Sequence, residues 1–203
     1  MHTATFLVDT YATERLKTLS AWAHFGNGDL DFRVEPRERT PREQMVHQCQ
    51  SEDGWMRTML GVATSLPVLP EQETVQAFIE HYAVQSGERL EQLQARPSAW
   101  WDEEAQFFDV RRSHAWIMMR RIAHSAHHRG QLTVLLRLLG RELYSTYGPT
   151  ADTGGLAPQG GHVIYRYPSL DALLDGVGHG DKLPALPGPP PGGATERPDR
   201  GNR

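Results

Sequence analysis

From Thr5 to Phe25 the apolar residues Phe6, Leu7, Tyr11, Leu16, Leu19 and Trp22 recur at roughly helical spacing, and Glu14, Arg15 and Lys17 fall on the other side. This pattern predicts an amphipathic first helix ending in the turn Gly26-Asn27-Gly28. After an irregular stretch from Asp31 to Pro36, the string Thr40-Pro41-Arg42-Glu43 has the form of a capping box with proline at the first helical position. A second helix should therefore start there and run to about Gly61, carrying Met45, Val46, Cys49, Trp55, Met56, Met59 and Leu60. The segment from Pro67 to Pro70 breaks the chain. A third helix is expected over Glu73 to Ala95, with Val75, Phe78, Ile79, Tyr82, Leu90 and Leu93 as its buried stripe and Gly87 as its weak point. Beyond Pro97 an aromatic connector, Trp100-Trp101 and Phe107-Phe108, leads to a fourth helix from roughly Val110 to Leu139, which Gly140 can end.

No stretch alternates with period two over several residues except His162 to Tyr167, so no sheet is expected. The predicted fold is all-α, an antiparallel four-helix bundle over residues 1–150. An irregular extension follows over 151–183, with Leu170 to Leu174 as a short surface helix. The Pro- and Gly-rich tail, 184–203, has a composition that cannot repay the entropy of ordering, and disorder is expected there. At 203 residues and 38% hydrophobic content, one core of ordinary size is affordable. Lys and Arg total 21 against 25 for Asp and Glu, so the net charge of −4 gives no reason to expect nucleic acid as a partner. The single cysteine, Cys49, cannot form an internal disulfide, and the N-terminus lacks the features of a signal peptide, which together fit a cytoplasmic protein. No apolar run approaches the ~20 residues of a membrane-spanning helix.

The chemistry concentrates in HSAHHRGQ, residues 124 to 131. On a helix His128 lies about 40° from His124 and Gln131 about 20° to the other side, so the three share a face. Ile117 and Leu135 share it too, which turns that face inward. Two neutral imidazoles one turn apart on an inward face can chelate a divalent cation, provided a facing helix supplies a third ligand. The best candidate is His47, whose neighbours Met45, Val46 and Cys49 place it at or near the core. Three histidines would leave coordination open to water or substrate. Ser125 stands where a zinc-protease HExxH motif would have glutamate, and no GxSxG elbow exists, so peptidase and serine-hydrolase chemistry lose support.

With HSAHHRGQ, His47, the turn YSTYGPTAD at 144 to 152 and this order of helices, the chain resembles the DinB-like superfamily of metal-binding four-helix bundles from about Thr5 to Asp152. The resemblance implies one divalent ion per chain, zinc or nickel first and iron, cobalt or manganese otherwise, held by His47, His124 and His128. It also implies a homodimer and a small-molecule substrate. Characterised relatives include thiol-dependent S-transferases and a thiol-dependent isomerase, in which the metal activates a low-molecular-weight thiol. Imidazole ligands alone do not choose among zinc, nickel, iron, cobalt and copper.

Around that core set, Gln131 can either orient a ligand or satisfy a polar group between helices, and His127, about 60° from His124, fits a helix-interface histidine better than a ligand. Arg129 points about 140° away, which suits a salt bridge or a contact with the 144 to 152 turn. Gly130 can permit close approach of another backbone. Cys49 projects about 200° from His47 and reads as a small buried hydrophobe, and Glu43 as a capping residue rather than a base. Trp100, Trp101, Phe107 and Phe108 form either a hydrophobic plug at one bundle end or the floor of a pocket. His2, His24, His81, His114, His162 and His179 have no partner at ligand spacing, and Gly176, Gly178 and Gly180 do not form a dinucleotide fingerprint. Two functions compete. The leading one is a metal-dependent enzyme that activates a small thiol or water, with thiol transfer placed above hydrolysis by the resemblance alone. The other is a non-catalytic stress-response protein whose metal cross-links the second and fourth helices.

Overall fold

The computed structural model describes residues 3–177, 179 and 183–192. Four long helices, α1 (Thr3–Trp22), α2 (Pro41–Leu60), α3 (Val75–Gln94) and α4 (His114–Leu138), make an all-α fold, with a shorter α5 at Leu170–Gly176. The chain divides into two compact units, one through Leu135 and one from Leu136 on.

Local chemistry sets the helix ends. The Thr40 hydroxyl accepts from the Glu43 amide at 3.2 Å and the Glu43 carboxylate accepts from the Thr40 amide at 2.8 Å, which closes the capping box that starts α2. Gly61 ends that helix in the left-handed region at φ 61°, where a side chain would be strained. Thr74 caps α3, so that helix begins at Val75, two residues later than the expected start at Glu73.

Helices α1 and α3 run antiparallel. Arg15 on α1 donates to the Ala83 carbonyl and the Ser86 hydroxyl at 2.8 and 2.9 Å, and further along Trp22 meets Phe78 and Tyr82. Helices α2 and α4 are also antiparallel, joined at one end by Gln44 to Gln131 and further along by Arg121 to Ser51. By contrast α2 and α3 run in the same direction, because the 61–74 connection returns the chain so that Arg42, at the start of α2, bonds the Glu73 carbonyl just before α3. Leu7, Tyr11, Met56, Leu60, Leu93, Trp101, Ile117 and Met118 fill one shared core.

Three sequence expectations are corrected. A two-residue turn joins β1 (Glu104–Phe107) to β2 (Val110–Ser113) as an antiparallel hairpin, so residues 110 to 113 are strand and α4 begins only at His114. Its alternation is too short to stand out: only Ala105 and Phe107 of β1 are half-buried against the core, and three of the four β2 residues are exposed. His162 to Tyr167, the one alternating stretch, forms no strand. On α1 the polar side is not the wet side: Glu14 and Arg15 are buried, whereas Phe6 and Leu16 are exposed. In the second unit Tyr144 donates to the Pro184 carbonyl at 2.7 Å and Gly188 to the Asp152 carbonyl at 2.9 Å. Residues 193–203 of the expected tail, together with His2, Gly178 and Gly180, lie outside the described residues.

Candidate metal centre

Helix α4 delivers His124 and His128 from successive turns, and α2 delivers His47 across from them. The ring centroids lie 4.4 Å (His124 to His128), 4.5 Å (His47 to His128) and 5.5 Å (His47 to His124) apart, and one nitrogen from each ring falls within 4.8 Å of the others. The Nε2 atoms of His124 and His128 face each other at 3.2 Å. Two nitrogens bound tetrahedrally at the usual zinc–imidazole length would be about 3.3 Å apart, so this pair already has the spacing of a chelate.

Each ring is held differently. The Nδ1–H of His128 donates to the side-chain oxygens of Gln131 (2.8 Å) and Gln44 (3.0 Å), and the Gln44 amide in turn donates to Gln131 at 3.1 Å. That clamp fixes the proton on Nδ1 and leaves the Nε2 lone pair aimed at the cluster. His124 has no such bond: its Nδ1 is buried without a partner. Packing sets its orientation instead, with the Trp55 ring 5.4 Å away, Phe107 and Phe108 edge-on to Trp55, and the Arg121 guanidinium over the other part of that indole.

The balance of environment effects favours neutral imidazole at all three rings. Burial first, then the Arg121 cation and the neighbouring rings, push His124 down to about 3. Burial pushes His128 down to about 4 even though its bond to Gln131 works the other way. Burial followed by Arg39 and Arg121 lowers His47. Neutral rings are what metal ligation requires. The cluster opens to a cleft of about 450 Å³ whose other lining residues are Arg39, Arg120, Ala123 and His127.

His127 lines that cleft but is exposed and stands outside the converging set, 5.0 Å from the His128 ring. Arg129 is buried in an ion pair with Glu14 of α1. Glu43 completes its capping box and bonds Arg33 at 2.7 Å. Cys49 is buried, and burial followed by the nearby Glu52 charge pushes its thiol up to about 12 and leaves it inert. A Cβ on Gly130 would meet open space, so no close backbone approach requires glycine there. The aromatic connector splits, with Trp100 and Trp101 in the core and Phe107 and Phe108 against Trp55. Phe108 is 66% exposed and takes φ 51°, a strained value for a bulky residue. Among the remaining histidines, His24, His81 and His114 bond backbone carbonyls, and His162 is exposed.

Gln44 and Trp55 escape a sequence reading centred on histidines. Gln44 precedes His47 by three residues and therefore shares its face, a signal available in principle. The role of Trp55 depends on the hairpin, which has no local signature.

The DinB family model matches residues 1–155, and the chain belongs to the DinB family. Among solved structures, a DinB-like protein from Bacillus cereus is 19% identical at a TM-score of 0.62, covering 70% of this chain and 95% of its own. A DinB-like protein from Bacillus subtilis is 14% identical at a TM-score of 0.56, covering 68% of this chain and 94% of its own. At these identities the likeness establishes the shared fold. A comparison with curated protein sequences finds no match.

Proposed function

We propose that this DinB-family protein holds one divalent metal ion through His47, His124 and His128 and is an enzyme acting on a small molecule in the adjoining cleft. The observation that carries the reading is the convergence of three imidazoles that burial keeps neutral, with two ring nitrogens 3.2 Å apart, at the wall of an open cleft. An ion whose only task was to join α2 to α4 would need no such opening. When bound, the ion supplies Lewis acidity that lowers the pKa of a thiol or water arriving from the cleft and makes it a nucleophile. Gln44 and Gln131 keep the His128 lone pair in place, and Trp55 fixes the plane of His124 and walls off one side. Family resemblance favours a low-molecular-weight thiol over water and a homodimer over a monomer. Size-exclusion chromatography with light scattering tests the latter.

Metal content of the untagged protein is the first measurement, with about one zinc or nickel per chain as the expected result. His124→Ala and His128→Ala should each abolish stoichiometric binding, whereas His162→Ala should retain it. Full metal content in the double variant of His124 and His128 would overturn the site. With cobalt as the probe ion, a sulfur-to-metal charge-transfer band on adding a small thiol would support thiol chemistry, and a silent spectrum would move hydrolysis ahead.

A further inference from the structure

The lining of the cleft is one-sided in charge. Besides the three clustered histidines it presents Arg39, Arg120 and His127, and no lining residue is acidic. Arg39 immediately precedes the Thr40 cap of α2, and Arg120 sits one turn before His124 on α4, so the two guanidiniums approach the same space from opposite helices. Among the described residues neither makes a hydrogen bond or ion pair, although arginines elsewhere are heavily used: Arg33, Arg42, Arg57, Arg89 and Arg129 all hold carboxylates. Glu43, whose carboxyl is held down first by its bond to Arg33 and only lastly by the Arg39 charge, bonds Arg33 at 2.7 Å. In a chain of net charge −4, two arginines that hold no carboxylate by a hydrogen bond among the described residues line this opening. Binding a divalent ion to neutral histidines would add two further positive charges to the same cleft.

A low-dielectric opening lined by one sign of charge concentrates ligands of the other sign, and arginine's planar fork is suited to carboxylate and phosphate oxygens. We propose that Arg39 and Arg120 form an anion-recognition subsite, so that the small molecule reaching the histidine cluster carries a carboxylate or phosphate group at its far end. The ligand is then two-headed, with a donor atom at the three histidines and an anionic oxygen group at the arginines. The inference rests on the metal reading for the first head and on the arginines alone for the second.

A charge series of short thiols separates the two on the full-length, cobalt-loaded protein: cysteamine, 2-mercaptoethanol, 3-mercaptopropionate and 2-mercaptoethylphosphonate. Each thiol is titrated against the wild type, Arg39→Gln, Arg120→Gln and the double variant, and serves as its own reference. The carboxylate and phosphonate thiols should lose affinity by roughly five- to tenfold per arginine removed. The neutral thiol should change by less than about twofold, and cysteamine should bind more tightly to the double variant. Whichever anionic thiol shows the larger loss identifies the oxygen group. Equal losses across the series, with cobalt content unchanged, would overturn the subsite and leave the metal site standing. If cobalt does not bind, the metal reading falls and the subsite is decided on the metal-free protein. There, propionate or inorganic phosphate must shift the side-chain Nε–H signals of Arg39 and Arg120 in NMR spectra, and their failure to do so would overturn it.

Discussion

Two polar clusters lie inside the same helical packing, and they differ in whether their hydrogen-bond acceptors are satisfied by the protein. In one, the Glu52 carboxylate accepts from the hydroxyls of Tyr11 (2.7 Å) and Tyr82 (2.8 Å) and from Arg89 (3.3 Å), while Arg89 also reaches Asp53 at 3.3 Å. Arg121 stands 4.0 Å from Glu52 and spends its other nitrogens on Ser51 and Ser125. Burial followed by the Glu52 charge raises both tyrosines well above their ordinary range, so they stay protonated donors. Every strong acceptor there meets a donor from the protein. In the histidine cluster, by contrast, the Nε2 atoms of His124 and His128 meet only each other, and the nearby Gln44 amide belongs to the clamp behind His128. A closed polar cluster is structure. One whose acceptors converge on a shared point and open to a cleft requires a ligand to complete it.

The sharpest way to break this contrast is to open the closed cluster. Glu52→Gln removes the charge that two buried guanidiniums share, and loss of one partner in a buried pair costs about 3–5 kcal/mol. Urea unfolding of the metal-free protein measures it. A cost under about 1 kcal/mol would mean that water or rearrangement compensates and that the cluster is not closed. Because Arg121 packs over Trp55 and Trp55 orients His124, the same variant should also weaken metal binding, a coupling that a purely local charge defect would not show.

The next effect concerns the open cluster. Gln44→Leu and Gln131→Leu free the His128 ring to rotate and to take its proton on the wrong nitrogen, so zinc affinity should fall about 10- to 100-fold in competition with a chelator. Global stability should change little by comparison, because what is lost is orientation of a partly open site rather than a paired buried charge. Equal losses of stability and affinity would make the clamp an ordinary interhelical bond. A smaller change still is expected from Thr40→Ala, which removes the cap of α2 at a cost of about 1 kcal/mol while leaving metal stoichiometry intact.

How much of this was readable in the chain follows from the range of the interactions. The α2 start at Thr40-Pro41-Arg42-Glu43 and the shared face of His124, His128 and Gln131 depend on residues three or four apart, and both appear in the structure as the spacing implies. The choice of His47 rested on its neighbours Met45, Val46 and Cys49 and on family resemblance, because which helix lies opposite is not a local property. The closed cluster was invisible because it joins Tyr11, Glu52, Tyr82, Arg89 and Arg121, one or two residues from each of four helices, with no local spacing to betray them. For the same reason Glu14 and Arg15 looked like solvent-facing residues: their partners Arg129 and Ser86 are far away in sequence. The hairpin was missed because each strand is only four residues long and its half-buried face rests on just Ala105 and Phe107.

The finest difference between the clusters is their response to pH. His124 and His128 are depressed in the folded metal-free protein to about 3 and about 4, and in the unfolded chain they return to the ordinary imidazole value of about 6.5. Between those values the unfolded state binds more protons than the folded one. Stability is therefore full above pH 6.5 and declines as pH falls toward 4, and levels off for these groups once the folded rings also protonate. The rings border an open cleft, so solvent screening keeps the slope shallow, on the order of 2 °C in Tm between pH 7 and pH 5. His124→Gln should flatten that slope, and one equivalent of zinc should steepen it, because protons then compete with the ion for the same nitrogens. The tyrosines of the closed cluster, shifted upward, should contribute nothing in this window. A slope unchanged by His124→Gln would place the acid sensitivity elsewhere and remove one of the marks that set the open cluster apart.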